Sequence, residues 1–80
     1  IDYATDAVSA GLGVSVEAEG VNVRDGAPVR VSGPVTSLGK DYLRGIYFIE
    51  VDNGGRRVKL GGPEAIYEDV RALHLKVAVA

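Results

Sequence analysis

The sequence predicts an all-β domain: a small antiparallel β-barrel or β-sandwich of five to six strands, with one short helix before the last strand. Three observations predict this class. The chain is rich in valine and glycine and poor in helix formers such as leucine and lysine. Several short segments alternate between apolar and polar residues, which is the pattern of a half-buried strand. Tight-turn sequences, above all Asp25-Gly26 and Asn53-Gly54-Gly55, separate these segments.

Length and composition restrict the class of protein further. The 80 residues make one domain, which we divide into an N-terminal arm or lead-in strand at 1–13 and a single β domain at 14–80. The absence of cysteine excludes disulfides and thiolate metal sites. The formal net charge of −2 argues against a general nucleic-acid binder. The sequence has neither an apolar run long enough for a membrane helix nor a signal-peptide pattern. Because it starts with Ile1 and lacks methionine, we expect an excerpt of a longer polypeptide.

The first part of the domain contains two predicted strands. Val14–Glu19 alternates cleanly, with its apolar side chains inward. After a tight turn, 28–32 alternates again, and the proline at its first position is tolerated because the missing N–H can lie outside the ladder. Gly33-Pro34 is expected to end this strand. The polar segment 35–41 is then expected to be a surface loop that contacts a partner.

The segment Gly45–Gly62 predicts a β-hairpin, and two registers compete. Turn propensity favours a turn at Asn53-Gly54. A turn at Gly54-Gly55 instead brings two opposite-charge pairs face to face, each worth about 0.2–1 kcal/mol, and we favour this second register. In it the charged pairs are Glu50 with Lys59 and Asp52 with Arg57, and the apolar pairs are Val51 with Val58 and Ile49 with Leu60.

The last part of the chain predicts a short helix and a final strand. Pro63 followed by Glu64 suits a helix N-terminus, so we expect a helix over Pro63–Arg71. The segment 73–80 alternates, which predicts a strand with Leu73 inward and His74 outward.

No catalytic or cofactor motif accompanies these elements. Glu17 and Glu19 share one face of a strand, but without a pocket or a third group they do not form a catalytic pair. His74 is the single histidine and has no second metal ligand beside it. We therefore expect no enzymatic activity, no cofactor and no metal.

The hairpin carries the best basic cluster of the chain. Its members are Arg56, Arg57 and Lys59. Together with Phe48 on the facing strand they suggest an SH3-like or OB-like module that binds single-stranded nucleic acid by charge and stacking. Glu50 and Asp52 lie opposite these residues on the facing strand and neutralise much of their charge, so nucleic-acid binding is kept as an alternative hypothesis.

The first strand of the hairpin is apolar on both faces. Such a strand is usually covered on both sides. We expect either the short helix or another subunit to cover the face that carries Ile46 and Phe48. The candidate residues for a protein interface are therefore Ile46 and Phe48, with Ser37 and Lys40 from the expected 35–41 loop.

Two longer stretches carry a family resemblance. Val14–Gly33 resembles a strand and short loop followed by x-x-G-x-P-V-x-V-S-G, and Leu43–Leu60 resembles L-x-G-x-Y-Y-V-x-x-V-D-x-N-x-x-K-L. The matching residues are Gly26, Pro28, Val29, Val31, Ser32, Gly33, Leu43, Gly45, Tyr47, Val51, Asp52, Lys59 and Leu60. In this order the pair resembles small all-β structural modules of tailed-bacteriophage virion proteins and of some bacterial surface proteins.

The resemblance implies a non-catalytic structural protein that binds neighbouring virion subunits, as a head-decoration, minor-capsid or tail-associated domain, or that forms an oligomer with itself. It implies a location in the virion, after assembly in the host cytoplasm, with no membrane partner and no nucleic-acid partner expected. A repeat domain of a bacterial surface adhesin is a further alternative.

Overall fold

The computed structural model describes residues 13–41 and 46–79, so all but the end of the expected N-terminal arm lies outside the described residues. The five strands are β1 Val14–Asn22, β2 Pro28–Asp41, β3 Ile46–Asn53, β4 Arg56–Gly61 and β5 Val70–Val79. They form a closed barrel in the order β1-β2-β3-β4-β5, and β5 pairs back onto β1. The predicted all-β class is confirmed, and the barrel is the form it takes.

The parallel pairing of β4 with β5 follows from barrel closure. All other neighbouring strands are antiparallel. Strand directions cannot alternate at every step around a ring with an odd number of strands, so one pair must be parallel. This pair is short and joins Leu60 with Val70 and Gly61 with Arg71. The connection 62–69 therefore returns over one end of the barrel instead of crossing its whole length.

Inward-facing side chains from all five strands form one apolar core. The alternation predicted for β1 is confirmed, since Val14, Val16 and Ala18 are buried and the residues between them are exposed. The largest fully buried side chains are Ile49, Leu60, Val31 and Val51. This core is the main source of stability, because each buried aliphatic side chain contributes about 1.5–3 kcal/mol relative to exposure.

Strand β2 is longer than the sequence suggests. The expected strand end at Gly33-Pro34 and the expected loop at 35–41 are wrong, because β2 continues through both. At this point β2 changes partner: it pairs with β1 as far as Pro34 and with β3 from Val35 onward. Gly33, with φ of +146°, lets the strand bend there. Val35 and Leu38 then pack against the core, which holds the second half of β2 in the sheet.

The hairpin adopts the register with Gly54-Gly55 at the turn, as favoured. The two glycines have φ of +66° and +93°, a region that glycine enters without steric cost. Val51 consequently pairs with Val58. The Asp52 carboxylate holds the turn, since its Oδ1 accepts a hydrogen bond from the Gly55 N–H at 2.8 Å.

The connection 62–69 consists of turns and bends, and β5 already begins at Val70. The helix expected over Pro63–Arg71 is therefore wrong, and the residues that the structure describes contain no helix. No segment among them could thus cross a membrane as a helix.

Hydrogen bonds to the barrel explain why this connection is not helical. The Asp69 N–H donates to the Lys59 carbonyl at 3.0 Å, and the Lys59 N–H donates to Asp69 Oδ2 at 2.9 Å. Arg71 Nε donates to the Ala65 carbonyl at 2.9 Å, and the Ala65 side chain is buried. Backbone groups that a helix would pair internally are used here to fasten the connection over the barrel end.

A register shift in β5 changes the orientation of one residue. Glu19 of β1 pairs with His74, but Gly20 pairs with Ala72. Leu73 is therefore passed over in the ladder and is 56% exposed, so its predicted inward orientation is wrong. His74 is exposed, as predicted.

Candidate functional site

A polar cleft of about 690 Å³ opens at one end of the barrel. It lies between the turn that joins β1 to β2, the tip of the β3–β4 hairpin and the end of the 62–69 connection. Antiparallel alternation explains why the two turns meet, because each follows a strand that runs in the same direction. We refer to this feature as the barrel-end cleft.

The floor of the barrel-end cleft is apolar. Val31, Val58 and Val70 line it and are also members of the buried core, and the half-buried Val29 lies beside them. A molecule in the cleft would therefore rest on dry core side chains and meet polar groups around its edge. Such a combination is typical of sites for small molecules.

Three arginines line the cleft from two sides. Arg24 belongs to the turn after β1, and Arg56 and Arg57 begin β4. In the part of the chain that the structure describes, Arg30 and Arg71 donate hydrogen bonds to protein acceptors, whereas these three make none. All three residues are exposed.

Two aspartates of the cleft each accept a hydrogen bond from a backbone N–H group. Asp25 Oδ1 accepts from the Ala27 N–H at 2.9 Å and closes its own turn. Asp69 Oδ2 accepts from the Lys59 N–H at 2.9 Å and fastens the connection to β4. These carboxylates therefore fix the loops on which the cleft is built.

Asn53 and Glu68 are two further polar residues that line the cleft. Asn53 Oδ1 accepts from the Ser32 N–H at 3.3 Å, which ties the hairpin tip to β2. Glu68 is 6% exposed, and its carboxyl group lies beside Gly61 at the end of β4. The edge of the cleft is thus tied to β2 through Asn53 and lies against β4 through Glu68.

The basic cluster predicted from the hairpin is divided by the structure. Arg56 and Arg57 line the cleft, but Lys59 does not. The Lys59 ammonium lies 5.3 Å from the centroid of the Phe48 ring, a cation–π contact on the outside of the barrel. The three cations therefore do not act as one surface.

Phe48 is covered from within the chain. It pairs with Gly39 of β2, and its ring lies across that glycine so closely that a β-carbon there would overlap it. Lys59 covers the ring from the other neighbouring strand. Phe48 is consequently half-buried without the expected helix.

Gly39→Val is expected to push the Phe48 ring aside and to lower the free energy of unfolding by about 1–3 kcal/mol, the usual cost of overpacking. Urea unfolding measures this cost, and loss of nuclear Overhauser effects between ring and backbone reports the displacement. Ser37→Val, at an exposed position of the same strand, is the matched control. An equal cost in both variants would contradict the proposed contact.

The other interface candidates stay predictions. Ser37 is exposed and pairs with Glu50. Lys40 and Ile46 lie on the paired part of β2 and β3, and their side chains fall outside the described residues. The association of this chain with itself is likewise a prediction that the fold does not test.

The carboxylates of β1 form a solvated surface. Glu19 pairs with Arg30 at 2.7 Å, and both side chains are more than half exposed, so the pair contributes about 0–1 kcal/mol at most. Within residues 13–41 and 46–79, no group of histidine and carboxylate side chains is arranged to hold a metal ion.

Sequence reasoning does not find the barrel-end cleft. Its members come from all five strands, from the turn after β1 and from the 62–69 connection, which are far apart along the chain. The available signal was the pair of glycine turns, Asp25-Gly26 and Gly54-Gly55, since closure of an antiparallel barrel places both at the same end.

The closed barrel thus carries, at one end, a cleft with a polar edge and an apolar floor. A known family matches the whole sequence. Residues 1–80 match the family described as TrmB/TrmBL1, EBD C-terminal subdomain, where EBD denotes the effector-binding domain. The chain therefore belongs to this family. A comparison with curated proteins found no match.

The family corrects the resemblance to bacteriophage virion modules. It is a domain of transcription regulators, so the expected roles in head decoration, minor capsid or tail are wrong, and the virion location has no support. The adhesin and nucleic-acid-module alternatives are replaced as well. The resemblance rested on glycines such as Gly26 in a turn and Gly33 in a strand bend, and on buried residues such as Val31 and Leu60. Such residues specify a small barrel whatever it binds.

Proposed function

We propose that this chain forms part of the effector-binding domain of a transcription regulator and that the barrel-end cleft contacts the effector. The chain acts by binding and not by catalysis. The observation that carries the proposal is the set of three unused guanidinium groups around an apolar floor, those of Arg24, Arg56 and Arg57. The family supports the regulatory context.

Effector binding in this cleft would bridge parts of the chain that are far apart in the sequence. The turn after β1, the hairpin tip and the 62–69 connection each contribute to the lining. A ligand that bridges them stabilises the folded barrel by mass action, by about 2.7 kcal/mol at a hundredfold excess over its dissociation constant. Any differential affinity for two states of the regulator would then shift their populations.

A thermal-shift screen of small metabolites tests this proposal. An effector is expected to raise the melting temperature of the wild-type chain and to lose most of this effect in Arg56→Gln. Arg30→Gln is the matched control, because Arg30 is exposed and its ion pair with Glu19 lies outside the cleft. A ligand that stabilises both variants equally binds elsewhere and contradicts the assignment of the cleft.

The regulatory part requires a second measurement. In the full regulator, a ligand found in this way is expected to change the affinity for the target DNA. A ligand that fills the cleft and leaves DNA affinity unchanged would rule out an effector role.

A further inference from the structure

We propose that the outer wall of the barrel carries a docking surface for the rest of the effector-binding domain. Its centre is formed by Ile66, Tyr67 and Leu73, to which we refer as the apolar patch. The inference rests on one part of the proposed function, namely that this chain is a subdomain of a larger effector-binding domain. It does not depend on which ligand the barrel-end cleft binds.

The apolar patch contains every large apolar side chain that is exposed in the part of the chain that the structure describes. Each of the three residues is more than half exposed. Single exposed apolar residues are common on protein surfaces and need no explanation. A group of them on one side of a small domain instead marks a site of contact with another protein surface.

Hydrogen bonding and strand β5 bring the three residues near one another. Arg71 Nε donates to the Ala65 carbonyl at 2.9 Å, so the connection runs beside β5 at the position that precedes Ile66. Leu73 follows Arg71 by two positions on the same strand, which is about 6–7 Å. Arg71 therefore joins the two parts of the apolar patch.

The fold holds the apolar patch in its exposed position. Ala65 and Glu68, which flank Ile66 and Tyr67 in the chain, are both buried. The Ala65 N–H also donates to the Gly62 carbonyl at 3.1 Å. Leu73 is directed outward by the register shift of β5. A surface that is fixed before binding loses little conformational entropy when a partner covers it.

A shallow hollow of about 510 Å³ adjoins the apolar patch on the outer wall. Its apolar lining residues are Val21, Pro28, Val29 and Leu73. Farther along β1 and β5 the outer wall carries charged side chains such as Glu17 and Lys76. The apolar side chains are thus concentrated on one part of the wall, where the hollow offers room for an apolar side chain of the partner.

The occupant that fits this surface is the rest of the effector-binding domain on the same polypeptide. The family is described as a C-terminal subdomain, so its members are one part of a larger domain. A stable interface between separate chains buries about 800 Å² on each partner. Even an aromatic side chain buries only about 150–250 Å², so three side chains that are already partly covered supply less. Between parts of one polypeptide a smaller surface is sufficient, because their effective concentration reaches about the millimolar range.

Thiol labelling of the full regulator tests the inference. This chain has no cysteine, so Ile66→Cys and Leu73→Cys each introduce one thiol, and cysteines elsewhere in the regulator are replaced by serine. Iodoacetamide is expected to react with both thiols about tenfold or more slowly in the native regulator than in urea, because a docked surface is open for only a small part of the time.

Ala78→Cys and Ser37→Cys are the matched controls. Both positions are exposed and lie away from the apolar patch, so their thiols should react about as fast in the native regulator as in urea. All four substitutions replace exposed side chains, so the variants are expected to stay folded, and circular dichroism checks this.

Two outcomes would overturn the inference. Labelling at the rate of the controls would show that nothing covers the apolar patch. Protection that disappears on dilution of the regulator would assign the surface to a second copy of the protein. The experiment contains no effector, so either result leaves the effector role of the cleft to the thermal-shift screen, and failure of that screen leaves the docking surface untouched.

Discussion

Val51→Asp is expected to unfold the domain. Val51 is fully buried and pairs with Val58 of β4 and with Val35 of β2, so it lies where three strands of the core meet. A carboxylate there loses its hydration and has no partner, which costs several kcal/mol or forces the group to become neutral. A domain this small has a total stability of about 5–15 kcal/mol at most, so one such change removes much or all of it.

Circular dichroism and the dispersion of the amide spectrum measure this outcome. Ala78→Asp is the matched control, because Ala78 is exposed on β5 opposite Ser15 and its replacement should cost less than about 0.5 kcal/mol. Val51→Thr keeps the shape and adds a buried hydroxyl, and a smaller loss of about 1–3 kcal/mol is expected. A cooperatively folded Val51→Asp variant would show that the inner face of the hairpin has been assigned incorrectly.

The hairpin was predictable from its alternating arms and its glycine turn, although turn propensity alone favours the other register. Alternating apolar residues on both arms require one face inward, and only the turn position was open. Gly54 and Gly55 both adopt positive φ, and Asp52 caps the turn, which selects the register with Val51 opposite Val58. The sequence favours this register through its opposite-charge pairs, whereas the hydrogen bond of Asp52 becomes visible only in the structure.

The strand end and the helix were mispredicted for the same physical reason. Gly33-Pro34 and Pro63-Glu64 have the local propensities of a break and a helix start. Closure of the barrel overrides both. It bends β2 at Gly33 instead of ending it, and it uses the backbone around Asp69 to hold the connection against β4. Long-range hydrogen bonds of this kind leave no periodic signal in the sequence.

The site was less predictable than the fold. The basic residues of the hairpin are visible in the sequence, but their roles depend on which acceptors or rings come within reach. Lys59 lies over Phe48, whereas Arg56 reaches the cleft, although only two positions separate them. Arg24 belongs to the same site from a distant turn. The sequence resemblance could not help, because its matches were core and turn positions and none was an arginine of the cleft.

Gly33→Ala is expected to destabilise the barrel by more than about 3 kcal/mol, an unusually large cost for adding one methyl group. At φ of +146° an alanine is strained by about 1–3 kcal/mol. Its β-carbon would in addition overlap the carbonyl oxygen of Asp52, which belongs to the backbone of β3 and cannot turn aside as a side chain would. Strand β2 changes its partner from β1 to β3 at this residue, so the substitution is expected to disturb both the β1–β2 and the β2–β3 pairing.

Gly26→Ala separates these two costs in urea unfolding. Gly26 also has positive φ, +73°, but nothing lies within 4 Å of the position where its β-carbon would be. It should therefore show only the backbone cost of about 1–2 kcal/mol. Equal losses in the two variants would mean that the close approach of β2 and β3 has no energetic role.

Gly33→Ala also tests whether the packing of β2 against β3 positions the cleft. Asn53, next to Asp52, accepts the hydrogen bond of the Ser32 N–H and holds the hairpin tip against β2. If Gly33→Ala separates these strands, the tip moves and carries Arg56 with it. At a temperature where the variant is still folded, its affinity for a ligand found in the thermal-shift screen should fall, although residue 33 does not line the cleft. Unchanged affinity would show that the arginines hold their position without the close pairing of β2 and β3.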